Sequence, residues 1–130
     1  MKGRVTRLIV AGSLLASVAG MSTAAFAKDG DVIRQGACSG NSDWKLKLSP
    51  ENGKIEVEYE VDSNKVGQTW RVKLFHGGNR IFAGTRQTQA PSGSFEVRKL
   101  ANNTAGSDSF SARATNVASG EVCRGSASIG

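Results

Sequence analysis

The chain has 130 residues, 17 of them basic and 11 acidic, with two cysteines and a single histidine. That length holds one small domain once an N-terminal leader is set aside, and no larger architecture. Two distant cysteines and one histidine exclude a zinc centre, which needs a cluster of such ligands.

The opening segment reads as an export signal. Lys2, Arg4 and Arg7 make a positive start, Leu8 to Ala19 is an apolar stretch shorter than a membrane span, and Ala25-Phe26-Ala27 fits the small-x-small cleavage rule. Residues 1–27 are therefore expected to be removed, leaving a mature domain of residues 28–130 with no membrane span. The first cysteine, Cys38, lies well past the cleavage point, which speaks against a lipid anchor. Three basic residues leave with the signal, so the mature domain carries 14 basic against 11 acidic residues, a net charge of +3. Both signs alternate along it, whereas a nucleic-acid binder wants a one-signed stripe. Nucleic acid is not an expected partner.

From Lys28 onward the texture is all-β. Val32-Ile33-Arg34 reads as an opening strand. Asp43 to Leu48, Lys54 to Val61 and Thr69 to Leu74 alternate with period two, each run burying one face and wetting the other. Arg80 to Arg86 supplies an extra strand, Ser94 to Arg98 and Ser109 to Ala114 continue the pattern, and Glu121 to Ile129 closes it. Turn residues separate the runs at Pro50-Glu51-Asn52-Gly53, Asp62-Ser63-Asn64, Gly77-Gly78-Asn79, Pro91-Ser92-Gly93 and Ala118-Ser119-Gly120. The expected fold is an all-β, two-sheet immunoglobulin-like sandwich of seven or eight antiparallel strands. Its apolar face takes in Trp44, Leu46, Tyr59, Val61, Trp70 and Leu74. In an exported domain the two cysteines imply one disulfide, Cys38 to Cys123, stapling the opening strand to the closing one.

A hairpin at Pro50–Gly53 would set Lys47 opposite Glu56 and Lys45 opposite Glu58. A second, closed by Asp62 to Gln68, would set Glu60 opposite Arg71 and Glu58 opposite Lys73. Three adjacent strands would then show a basic–acidic–basic ladder to water. Such pairs favour register and solubility, each contributing roughly 0.2–1 kcal/mol.

Phe110-Ser111-Ala112-Arg113-Ala114-Thr115-Asn116, followed by Gly120-Glu121-Val122-Cys123, resembles the closing hairpin of immunoglobulin-like and fibronectin-III-like sandwiches. Together with an export signal and a mature domain of this size, the chain is similar to small secreted proteins of actinobacterial type. The resemblance implies a domain that binds, adheres or spaces, and shape alone does not choose among these. An antibody-type domain is excluded. The cysteines lie 85 positions apart, and Glu121 stands where the tyrosine corner requires its tyrosine.

The catalytic inventory is thin. His76 lies beside Gly77-Gly78 and reads as an exposed turn residue, with no nominated nucleophile or acid. Glu56, Glu58 and Glu60 evoke the paired carboxylates of a glycosidase, but basic neighbours should keep all three ionised with no raised pKa. Asp29-Gly30-Asp31 begins like a calcium loop and lacks the remaining ligands. No enzyme, catalytic residue, metal ligand or cofactor is expected.

The candidate binding residues are Phe75, Phe82, Arg71 and Arg86. A tight turn around Gly78-Asn79 would pair Phe75 with Phe82 and Arg71 with Arg86, making an aromatic–basic patch; the alternative carries Phe82 into the core. The expected function is a secreted, monomeric, non-catalytic binding or adhesion module for an extracellular protein or cell-wall polymer, acting outside the cell or in its envelope. The alternatives are a structural envelope component without a small ligand, and a protease inhibitor displaying Thr88 to Gly93.

Overall fold

A computed structural model describes residues 27–130; the export-signal reading falls on residues outside the described ones. Eight strands follow in order: β1 (Val32–Ala37), β2 (Asp43–Glu51), β3 (Lys54–Asp62), β4 (Thr69–His76), β5 (Asn79–Gln87), β6 (Ser94–Asn102), β7 (Asp108–Asn116) and β8 (Val122–Ile129). All pairings are antiparallel, in two sheets ordered β1-β2-β3-β6 and β5-β4-β7-β8. The two-sheet sandwich expected from the alternation is the observed fold, and its single disulfide is Cys38–Cys123.

Turn chemistry sets the register of β2 against β3. Asn52 and Gly53 both have positive φ, 49° and 77°, the pair a two-residue mirror-type hairpin turn demands. Glu51 therefore faces Lys54, which sets Lys47 opposite Glu58 and Lys45 opposite Glu60. This corrects the expected pairing by two positions. Pro50 belongs to the strand instead of the turn. It is tolerated there because β1 stops pairing with β2 at Leu48, so no ladder donor is missed.

The second expected hairpin does not form. β4 crosses to the opposite sheet, and the neighbour of β3 is β6. Neither Arg71 nor Lys73 faces a β3 glutamate; Arg98 takes that place, opposite Glu58. Its guanidinium lies 3.2 Å from Glu96, 3.5 Å from Glu58 and 3.7 Å from Glu56. Alternation could not reveal this, because an inward apolar face looks the same whether the next strand pairs alongside or packs across the core.

The core is uneven in side-chain size. β2 and β3 contribute Leu46, Leu48, Ile55, Val57, Tyr59 and Val61, while β7 and β8 contribute chiefly Ala112, Ala114, Cys123 and Ala127. Bulky residues of one sheet fill space that the small ones of the other leave. Trp70 of β4 meets Phe95 of β6 at 6.2 Å between ring centroids. The Tyr59 hydroxyl spans the sandwich and donates to the Cys123 carbonyl at 2.9 Å, and burial pushes its pKa up, so it stays a neutral donor.

Three devices close the edge where β1 meets β8. The disulfide joins Cα atoms 4.3 Å apart. Ser39 exchanges two bonds with Val122, one through its backbone N–H and one through its hydroxyl. The Glu121 carboxylate accepts from the N–H groups of Gly40 and Ser42 and from the Ser42 hydroxyl, at 2.9–3.0 Å. Replacing both cysteines by serine should lower unfolding free energy by about 2–5 kcal/mol, while the Glu121 and Ser39 bonds preserve the far-ultraviolet spectrum of the native sandwich. Tyr59→Phe should cost about 1 kcal/mol by removing the hydroxyl bond that spans the sandwich to the Cys123 carbonyl, read from urea unfolding.

Candidate binding face

Charges that alternate along the chain are sorted by the fold. Strands β1, β2, β3 and β6 carry seven acidic and six basic residues; β4, β5, β7 and β8 carry six basic residues and one acidic residue, Asp108, whose side chain is buried. On the outer face of the second sheet, Lys73 stands opposite Arg113, and Arg113 opposite Arg124. Arg71 lies one step along, opposite Thr115. All four cations are exposed, and among the described residues no carboxylate forms an ion pair with any of them. The one-signed stripe that the linear sequence lacks is present in the folded sheet.

The next row along the same face is Phe75, Ser111 and Ser126. An open groove of about 510 Å³ runs over these rows to the β8 edge, lined among others by Trp44, Phe75, Arg113, Arg124, Arg34 and Gln35. Trp44 reaches it because two neighbours lack side chains. A Cβ on Gly125 would sit 2.5 Å from the indole, and one on Gly36 would sit 3.1 Å away. The half-buried indole is wedged between β1 and β8, with little room to turn.

The four expected binding residues do not form one patch. A register shift between Leu74 and Phe75 sets Phe75 opposite Arg80 and Phe82 opposite Leu74; Arg71 faces Thr85, and Arg86 faces Trp70. Arg71 and Phe75 therefore share the outer face. Phe82 and Arg86 occupy the inner side of the edge strand, where the Phe82 ring folds over Gly84 and the Arg86 guanidinium caps it at 5.0 Å. Phe82 packs against the core from β5, which stays in the same sheet as β4. The residues that sequence reasoning missed are Lys73, Arg113, Arg124 and Trp44; Arg113 and Arg124 face each other across the closing hairpin, and sheet assignment brings Lys73 beside them and Trp44 to the β8 edge.

His76 is not an exposed turn residue. Its Nε2 lies 2.8 Å from the Asp108 carboxylate and its ring stacks on Phe110 at 4.3 Å. Asp108 also accepts from the Thr104 hydroxyl at 2.6 Å and from the Thr104 N–H. The Thr104 hydroxyl first, then His76, hold the Asp108 carboxyl below its ordinary pKa against the opposing effect of desolvation. The dyad ties the β4–β5 hairpin to the loop entering β7, a structural task that occupies both groups. Glu58 is a further correction: its pKa is raised, by burial first and then by Glu56 and Glu96, with Arg98 and Lys47 opposing. Asp29-Gly30-Asp31 forms a turn in which Asp31 accepts from the Lys28 N–H and lies 3.7 Å from Lys47.

The loop Thr88 to Gly93, the alternative inhibitory element, is braced by hydrogen bonds. Gln89 pairs with Ser94, and the buried Thr88 hydroxyl links Gln68 to Lys65. No protein-family model, curated protein or solved structure matches the chain.

The lowered Asp108 pKa fixes a sign. Its contribution is fully present above the ordinary carboxylate pKa of 3.8 and is lost as pH falls through the lower folded value. Asp108→Asn should lower the melting temperature at neutral pH by several degrees and flatten the loss of stability below about pH 4, as read by calorimetry across pH.

Proposed function

We propose that the chain is a non-catalytic binding module acting outside the cell or in its envelope, and that the outer face of β5-β4-β7-β8 engages an anionic envelope polymer. The observation that carries this reading is the Lys73–Arg113–Arg124 row. Like charges directly opposed on neighbouring strands destabilise a sheet, and this face holds no acid to relieve them. The other outer face, by contrast, is laced with Lys–Glu and Arg–Glu pairs. A surface serving solubility alone would resemble the second. The disulfide is compatible with an oxidising location, and among the described residues no helix is long and apolar enough to cross a membrane. The non-catalytic reading is supported by what occupies the titratable groups. His76 and Asp108 serve the hairpin clamp, and the glutamates of β3 lie on a flat face beside Arg98 and Lys45.

Arg113→Glu separates stability from binding. The new carboxylate would lie between Lys73 and Arg124, so the melting temperature should hold or rise. Affinity for isolated cell envelopes should fall roughly tenfold, and wild-type binding should weaken as salt rises. Lys45→Gln with Lys47→Gln, on the opposite face, should leave binding unchanged. Binding indifferent to Arg113→Glu and to salt would overturn the reading.

A further inference from the structure

Resting on that reading of the basic face, we infer that the groove between Trp44 and Phe75 is a subsite for one acidic sugar unit, a pyranose ring carrying an oxyanion. Three kinds of group converge there, and together they match no simpler ligand. Arg113 and Arg124 offer planar donor forks suited to a carboxylate or a phosphate. In the same row as Phe75, one step along the strands from these arginines, the exposed Ser111 and Ser126 hydroxyls both donate and accept, as the hydroxyls of a sugar require. Phe75 and Trp44 are half-buried and line the groove, giving an electron-rich aromatic wall for the weakly positive C–H groups of a pyranose.

The alternatives use less of this site. A ringless polyanion such as polyphosphate would engage the arginines and leave the aromatic wall unused. Single-stranded nucleic acid binds best where rings project so that successive bases stack on them. Here the Trp44 indole is clamped against Gly36 and Gly125, and Phe75 lies within the row of the sheet. A sugar ring laid along the groove, its oxyanion toward Arg113 and Arg124, satisfies all three kinds of group.

The test compares polygalacturonate, a phosphorylated mannan, polyphosphate and single-stranded DNA, matched in charge, against the mature domain by titration calorimetry and tryptophan emission. One or both charged glycans should bind roughly tenfold tighter than polyphosphate, as one aromatic anchor supplies, and which of the two does so identifies the oxyanion. Binding should shift the emission of the half-exposed Trp44, since Trp70 is fully buried. Phe75→Leu, which keeps apolar volume and loses the ring, should bring glycan affinity down to the polyphosphate level without changing polyphosphate binding. Phe75→Ser, checked for folding by circular dichroism, should do the same. Equal affinity for glycans and polyphosphate, untouched by either variant while Arg113→Glu weakens both, would overturn the subsite and leave the basic face standing. DNA binding tighter than either glycan would overturn it in favour of a nucleic-acid surface. Failure of every polyanion to bind would overturn the basic-face reading as well.

Discussion

The constraint on which the rest of this domain depends is that two amphipathic sheets must hide their apolar faces against each other. Each strand is half wet and half dry, so placing a strand in one sheet or the other also decides on which side of the molecule its polar residues emerge. β3 sends its glutamates out beneath Arg98; β4, β7 and β8 send Lys73, Arg113 and Arg124 out on the far side. Charge sorting is therefore a consequence of the crossovers, and local sequence does not display it.

The same packing constraint makes the groove. Small residues on β7 and β8 leave room for Trp44, and the absence of side chains at Gly36 and Gly125 brings its indole to the sandwich edge. That edge would otherwise be easy to open, because β1 is short and terminal. The disulfide, the Ser39–Val122 exchange and the Glu121 carboxylate hold β1 and its following loop against β8. A wall of the candidate site is thus positioned by the staple that stabilises the fold, and loosening one should loosen the other.

Much of the fold was legible because period-two alternation and turn residues are local signals. All eight strands and nine of the ten inward residues expected from Trp44 to Leu74 follow from them, Trp44 being the half-exposed exception, while the disulfide follows from the cysteine count. Partnership was less legible. The β2–β3 register was misplaced because proline usually marks a turn, whereas here Asn52-Gly53 alone makes it. The bulge after Leu74 altered the facing of every residue paired across it, which divided the expected Phe75–Phe82–Arg71–Arg86 patch between two surfaces. His76 looked exposed because its partner Asp108 lies 32 positions away in a run of small polar residues. Of the candidate site, Arg71 and Phe75 were visible from sequence. The cationic row was not, since Lys73 comes from β4, which neighbours the β7–β8 hairpin only in space.

Opposite faces of different charge also give the domain a preferred orientation. Among the described residues, the cations of the second sheet have no acidic partners on their own face, while the acidic residues of the first are largely balanced by lysines and Arg98 and point away. Salt acts differently on the two faces: screening weakens the ion pairs of one and relieves the like-charge row of the other. These effects oppose each other in folding stability, so stability should respond little to ionic strength. Attraction to a polyanion has no such offset. On the proposed reading, the domain would therefore remain folded across salt conditions that release it from an anionic polymer, which would separate holding the fold from holding the ligand.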